Sequence, residues 1–291
     1  MLQELVNGLL LGGVYALASV GFALVWGVMN EINIAHAAAM VLGAYTSYEL
    51  FRYLHVDPLL SIPFAMLLVF SITYPLQRYL LNRALPHGLV ITLASTFGLN
   101  LLLENLIQYI FTGDYRSITP SYVARSLHLG PIVVPFLSLL VFVMGLLAFA
   151  LLYLFLERSW WGLAIRSTAL HREAARIVGL PVERIYALVF ALGSALAAAA
   201  GVMIATTQSL YPGMGDRFLT KIFVITALGG FGSLPGALLG SMLFALIEVF
   251  ASTYLGPSLV DLVAFSLLVL TLIVRPQGLL GRKFYGEEGT A

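Results

Sequence analysis

The chain has no cysteine among its 291 residues. That excludes disulfides, thiol catalysis and cysteine-based metal sites. Charge is also scarce: Asp, Glu, Lys and Arg make up 10% of the residues, against 60% hydrophobic. An ordinary soluble domain is about 25% charged, so fifteen basic and fourteen acidic side chains cannot clothe a water-soluble surface of this size. Disorder is excluded too, because it needs low hydrophobicity and high charge. A net charge of +1 offers no field for nucleic acid. The sequence lacks HExxH and GxxxxGK[ST]. Its five histidines (His36, His55, His87, His128 and His171) are scattered, with no Ser-His or paired-carboxylate spacing. An intramembrane enzyme is therefore disfavoured. What is present is long apolar sequence, the mark of a polytopic membrane protein whose solvent is mostly lipid.

The N-terminal stretch has no basic n-region, and its apolar character runs from Leu5 to about Met29. That is too long and wrongly flanked for a cleaved signal peptide, so it reads as an uncleaved first helix. Further runs near the spanning length of about 20 residues occupy 34–51, 59–77, 88–112, 132–156, 185–207, 234–254 and 258–274. A shorter apolar piece, 222–231, reads as a ninth, half-length or re-entrant segment. None of these runs alternates as barrel strands do. The expected fold class is all-α: a polytopic inner-membrane helical bundle with eight or nine transmembrane segments, some discontinuous, in a single domain over 1–291.

Basic residues set the orientation. With alternating spans, ten of the fifteen fall on one side: Arg78 and Arg83, five in loop 157–184, then Arg275, Arg282 and Lys283. Arg52, Arg116, Arg125, Arg217 and Lys221 fall on the other. Loop 157–184 and the C-terminus are thus cytoplasmic. Nine passes put the N-terminus outside and eight put it inside. The first 30 residues hold no Lys or Arg, so the rule is silent there.

Small residues recur every fourth position in Ala35, Ala39, Gly43 and Ser47, in Gly8, Gly12 and Ala16, in Gly193, Ala197 and Gly201, and in Gly236 with Gly240. Such stripes let helices approach closely in lipid. Polar groups inside spans should face protein or water. Asn100, Glu104 and Gln108 share one helix face, with Asn105 beside them; Ser241, Glu248 and Ser252 share another. The sequence NEINIAH at 30–36, with Asn30, Glu31, Asn33 and His36, interrupts two apolar runs. It reads either as an ordinary loop or as a discontinuous helix lining a cavity. A second break, ALGGFGSLPGALLGS at 227–241, carries Gly229, Gly230, Gly232, Pro235 and Gly236. Paired breaks in two halves point toward an internal repeat around a central pathway.

Loop 157–184 is the one long polar stretch on the cytoplasmic side. Residues 169–178 favour a short helix, with Gly179 placed to stop it and Pro181 following. Ala175, Val178 and Leu180 would form its apolar side and Arg172 and Arg176 its outer face. It reads either as a solvated positive-inside loop or as a helix that docks on a cytoplasmic partner.

At this loop the sequence resembles a known family. Glu173-Ala174-Ala175 followed by Gly179 is similar to the E-A-A-x3-G coupling motif of bacterial ABC importer permeases. The I-x-L-P half of that motif is missing; Leu192-Gly193 stands there instead. The N-terminal GLLLGGVYALASVGFALVWGVMNEINIAHAAAMVLGAY, the loop, the segment at 227–241 and the tail VRPQGLLGR resemble LivH-type branched-chain amino-acid permeases nearly end to end. Members often carry a glycine after the histidine of N-x-A-H, where this chain has Ala37, which leaves the substrate class open.

The resemblance implies a single permease domain with a cytoplasmic coupling loop at 157–184. Arg172, Glu173, Ala174, Ala175 and Gly179 would contact the motor. It implies a second related permease subunit, two cytoplasmic ATP-binding subunits using ATP and Mg, a periplasmic substrate-binding protein, and no cofactor or enzymatic activity in this chain. The expected function is import of Leu, Ile and Val by alternating access. Asn30, Asn33, His36, Asn100 and Glu104 are the candidate pathway residues. The alternatives are an importer of urea, short amides or another small polar solute, and an ATP-independent secondary transporter or channel.

Overall fold

A computed structural model describes residues 1–281. Helix α1 (Leu2–Met29) is followed by α2 (His36–Leu54) and α3 (Pro58–Pro75). The α3 rod continues through a π-turn at Leu76–Leu81, α4 (Asn82–Ala84) and a 3-10 turn at Leu85–His87. Then come α5 (Leu89–Phe111), a hairpin of β1 (Ser126–Leu129) and β2 (Ile132–Pro135), and α6 (Phe136–Arg158). Two short helices, α7 (Trp160–Leu170) and α8 (Arg172–Ile177), lead to α9 (Val182–Thr207), α10 (Met214–Gly229) and α11 (Leu234–Tyr254). A 3-10 turn at Pro257–Leu259 opens α12 (Val260–Val274).

Among the described residues, seven helical rods are long and apolar enough to cross a membrane: α1, α3 with its continuation, α5, α6, α9, α11, and α12 with its opening turn. This is a smaller set than the eight or nine segments expected from the sequence. The 34–51 run is α2 and falls outside the set. The 222–231 piece falls on a short helix of its own, α10, which begins earlier, at Met214, and ends at Gly229, because apolar sequence alone hides the polar first turn Gly215-Asp216-Arg217.

The bundle is built around α9 and the later turns of α1, both almost wholly buried, while almost none of α12 is buried. Glycine decides the closest approach. A Cβ on Gly43 would overlap the backbone of Ala198, and one on Gly201 would overlap Met40, so α2 and α9 touch backbone to backbone, as small residues permit in lipid. Gly8 and Gly12 likewise meet Leu246 and Met242 of α11.

Side chains mark the two ends of the bundle. At one end Gln3 exchanges two hydrogen bonds with the Val133 backbone at 2.7 and 2.8 Å, Tyr122 donates to Asp57 at 2.9 Å, and Arg116 pairs backbone to backbone with Leu210. At the other, Asn82 donates to the Glu183 carbonyl at 2.9 Å and Leu279 N–H to the Leu228 carbonyl at 2.8 Å. The N-terminus and loop 157–184 thus occupy opposite ends. Lys221, grouped with outer-side residues by span alternation, lies inside α10 instead. Its Nζ is 2.5 Å from Glu248 of α11 and 3.0 Å from the Tyr15 hydroxyl of α1. Burial in protein lets this charge be paired rather than hydrated. Arg282 and Lys283 lie outside the described residues.

Candidate functional site

Helix α1 ends at Asn30, an exposed residue in the left-handed conformation at φ 54°. Residues 30–35 then fold back along the bundle, and His36 Nε2 lies 3.0 Å from the carbonyl of Ala18. Ala18 stands eleven residues before Met29, about 16 Å at helical rise. Helix α2 therefore begins deep inside the protein, where protein groups answer its first N–H groups: the Asn33 carbonyl accepts from His36 at 3.3 Å and the Ile34 carbonyl from Ala37 at 3.2 Å. Helix α5 supplies further partners. Asn100 Oδ1 accepts the Ala38 N–H at 3.0 Å. One turn earlier, Thr96 Oγ1 donates to the Ile32 carbonyl at 3.1 Å and accepts the Ile34 N–H at 3.4 Å. The sequence break is thus a re-entrant segment rather than a surface loop.

Within it, Asn33 is 2% exposed, and neither its amide oxygen nor its amide nitrogen has a partner among the described residues. His36 is fully buried, with Phe22 edge-on at 5.6 Å, and its Nδ1 is likewise without a partner among the described residues. Buried polar groups without partners cost about 1–3 kcal/mol each.

A second break faces the first. Helix α9 stops at Thr207, Leu210 pairs with Arg116, and α10 starts at Met214. A Cβ on Gly215 would press on the Ala37 carbonyl, so the N-terminus of α10 abuts the N-terminus of α2. From that point α2 runs toward the N-terminal end of the bundle and α10 toward the end holding loop 157–184. Each helix N-terminus carries a partial positive charge. Glu104 of α5 is adjacent: its Oε1 would lie 3.3 Å from a Cβ on Gly213. Of the polar stripe on α5, Asn100 faces this point and Glu104 is half-buried. Gln108 and Asn105 are exposed, and Asn105 bonds only to its own helix at Leu101.

The sequence pairs the 30–36 break with 227–241, and here the structure differs. Residues 230–233 form a tight turn between α10 and α11 at the loop 157–184 end. Gly230 (φ 106°) and Gly232 (φ 75°) supply its left-handed positions. Ser233 caps α11 through the Gly236 N–H at 3.1 Å, with Pro235 in the first turn. Gly229 and Gly236 meet across the turn. The counterpart of 30–35 is 208–213. Its Pro212-Gly213 pair after an apolar run is a turn signal that sequence reading passed over.

Beside the two N-termini opens an apolar cavity of about 380 Å³. Its walls include Phe22, Ile32 and Ile34, with Leu219 and Phe223 of α10 and Phe265 of α12.

In loop 157–184 the expected helix over 169–178 is split. Helix α7 runs to Leu170, His171 is extended and caps α8 through the Ala174 N–H at 3.2 Å, and α8 covers 172–177. Gly179 at φ 85° ends it, with Leu180 N–H bonded back to the Ala175 carbonyl at 3.0 Å. Ala175 is buried and Glu173 exposed; Arg176 contacts Glu173 at 3.4 Å and Glu183 at 2.7 Å. The apolar residues do not all turn inward: Ile177 is 87% and Val178 75% exposed. Arg172 turns in instead, its guanidinium 5.5 Å from the Tyr186 ring centre. Among the described residues no cluster of three or more His, Asp or Glu side chains could hold a metal ion.

The family described as branched-chain amino acid transport system, permease component, matches residues 4–272. The high-affinity branched-chain amino acid transport system permease protein BraD of Pseudomonas aeruginosa is 33% identical over 97% of this chain and 96% of its own length. LivH of Escherichia coli, with the same description, is 30% identical over 97% and 96%. A probable branched-chain amino acid transport permease protein LivH of Methanocaldococcus jannaschii is 25% identical over 91% and 88%. No solved structure matches the chain significantly. The matched region takes in both re-entrant breaks, the cavity beside them and α8: the chain belongs to the family of permease components of branched-chain amino-acid transport systems.

Proposed function

We propose that this multi-pass inner-membrane protein is the permease subunit of an ATP-binding cassette importer that moves Leu, Ile and Val by alternating access. The observation that carries the reading is the meeting of two oppositely directed half-helix N-termini beside Asn100 and an apolar cavity. Transporters that bind zwitterions need such a point at mid-depth. The substrate carboxylate sits at the N-terminus of α10, near Asn33 and His36, with Asn30 at the start of the segment. Glu104 faces the ammonium group. The branched side chain lies against Phe22, Ile32 and Phe223, and this apolar wall favours it over urea or a short amide. Counting α2 with segment 30–35, and α10 with segment 208–213, as one crossing each gives nine crossings and an outside N-terminus.

Two ATPase subunits dock at α8 and use ATP and Mg. Exposed Ile177 and Val178 enter a cleft of the ATPase, while Glu173 and Gly179 fix the helix and its stop. A second, related permease subunit lies alongside, and a periplasmic binding protein delivers substrate at the end marked by Gln3 and the hairpin. Closure of the ATPases moves α8, and the bundle rocks about the central point.

Two measurements test this. In the assembled complex, Glu173→Ala with Gly179→Val should abolish ATPase co-purification and uptake; full transport with both changed would sink the coupling assignment. A labelled-solute panel on proteoliposomes should show ATP-dependent uptake of Leu, Ile and Val. Uptake of urea without leucine would overturn the substrate, and uptake without ATP the class.

A further inference from the structure

Arg116 lies between α5 and the hairpin. Its side chain is 17% exposed, so it is not a solvated loop charge. The guanidinium donates to the Phe111 carbonyl at the end of α5, where helix carbonyls lack partners and the dipole favours a cation. The same fork reaches Glu49 of α2 at 3.6 Å and lies 5.2 Å from the centre of the Tyr48 ring. The Arg116 backbone is bound to a third element. Its N–H donates to the Leu210 carbonyl at 2.9 Å, and its carbonyl accepts the Leu210 N–H at 2.8 Å. Beside this bridge the Tyr115 and Tyr211 rings lie 4.9 Å apart. One residue thus holds α2, α5 and segment 208–213 together.

Each of these three elements carries a part of the candidate site. Helix α2 begins at His36, α5 supplies Asn100 and Glu104, and segment 208–213 leads into the N-terminus of α10. Glu49 stands thirteen residues beyond His36, about 20 Å at helical rise, toward the end marked by Gln3 and the hairpin. Arg116 therefore joins the three elements on the side from which the binding protein delivers substrate. An ion pair at 3.6 Å whose partners are 17% and 27% exposed is weak. A contact of that strength can break and re-form within a transport cycle.

We propose that Arg116 is a positioning residue for transport: it clasps α2, α5 and segment 208–213 shut over the site, and substrate enters when the clasp parts. The inference rests on the importer reading given above. Arg116 touches no substrate; it sets the spacing of the elements that do.

The test locks the clasp in proteoliposomes holding the complete complex. The native chain has no cysteine, so Tyr115→Cys with Tyr211→Cys supplies the subunit's one thiol pair, across the bridge. A short bis-methanethiosulfonate links the two. Linking should lower ATP-driven leucine uptake at least about five-fold, the low end of coupling between sites, and dithiothreitol should restore it. A contact that stays closed throughout the cycle is indifferent to the link. Uptake within about two-fold of the unlinked pair therefore overturns the proposal, and so does an equal loss in either single-cysteine variant.

Access to the site is the second measurement, and it decides if the unlinked pair carries no leucine. Asn33 is 2% exposed, so Asn33→Cys reports on the site. With Arg116→Ala, its labelling by a membrane-impermeant methanethiosulfonate should rise at least about five-fold in right-side-out vesicles and stay within about two-fold in inside-out ones. Arg116→Lys, which keeps a charge facing Glu49, should fall between. A merely structural role loosens the site toward both sides, so an equal rise from both, or no rise, overturns the clasp. Glu49→Gln, which removes one contact, takes the place of Arg116→Ala if that variant fails to assemble. If the native complex shows no ATP-driven leucine uptake, the importer reading itself has failed; if it does and the linked pair still transports, only the clasp has.

Discussion

The Asn100 side chain holds the Ala38 backbone N–H at 3.0 Å, a bond across 62 residues that closes the buried start of α2. A half-helix beginning inside a bundle has no water for its first N–H groups. A single amide on a neighbouring helix therefore does the work that a cap residue does elsewhere, and α2 itself lacks a capping side chain.

Asn100→Ala leaves that N–H unsatisfied, at a cost of about 1–3 kcal/mol. Thermal unfolding in detergent should show the loss, together with reduced uptake. Asn105→Ala, which removes only an exposed bond to its own helix, should stay within about 0.5 kcal/mol.

Gly43→Ala and Gly201→Ala insert a methyl group where α2 and α9 meet backbone to backbone. Overpacking of this kind costs about 1–3 kcal/mol and should lower both folded yield and melting temperature. Gly98→Ala on α5 is the control: its Cβ would meet nothing within 4 Å, so helix propensity should stabilise it by about 0.5–1 kcal/mol.

Lys221 and Glu248 answer each other between α10 and α11 at 2.5 Å, with Tyr15 accepting from the same ammonium. Lys221→Met strands the Glu248 carboxylate, whose Oε2 already has no partner among the described residues, and removing one member of a buried pair costs about 3–5 kcal/mol. Adding Glu248→Gln should recover part of the loss in a thermal melt. If the double variant is no more stable than the single, the pair is not coupled.

Much of the fold was legible because lipid leaves a strong signal. The long apolar runs became α1, α3, α5, α6, α9, α11 and α12, and Gly179 stands where a helix stop was expected. The Asn100 face was visible as a polar stripe, but its purpose was not: the stripe has one periodicity whether it meets solvent, substrate or a backbone N–H. The re-entrant segments were harder. A Gly-rich run looks like a break wherever it occurs, so 227–241 drew attention while Pro212-Gly213 did not. Which of two breaks turns inward depends on contacts such as Gly215 against Ala37, and no local pattern encodes those.

The burial of α1 bears on how the protein is made. Helix α1 is enclosed by α6, α9 and α11, all of which are synthesised after it. Its own ends carry no Lys or Arg to fix it early, and Gln3 has to wait for Val133. During translation α1 must therefore linger in lipid or beside an insertase, with its glycine stripes uncovered, until the last third of the chain arrives to surround it.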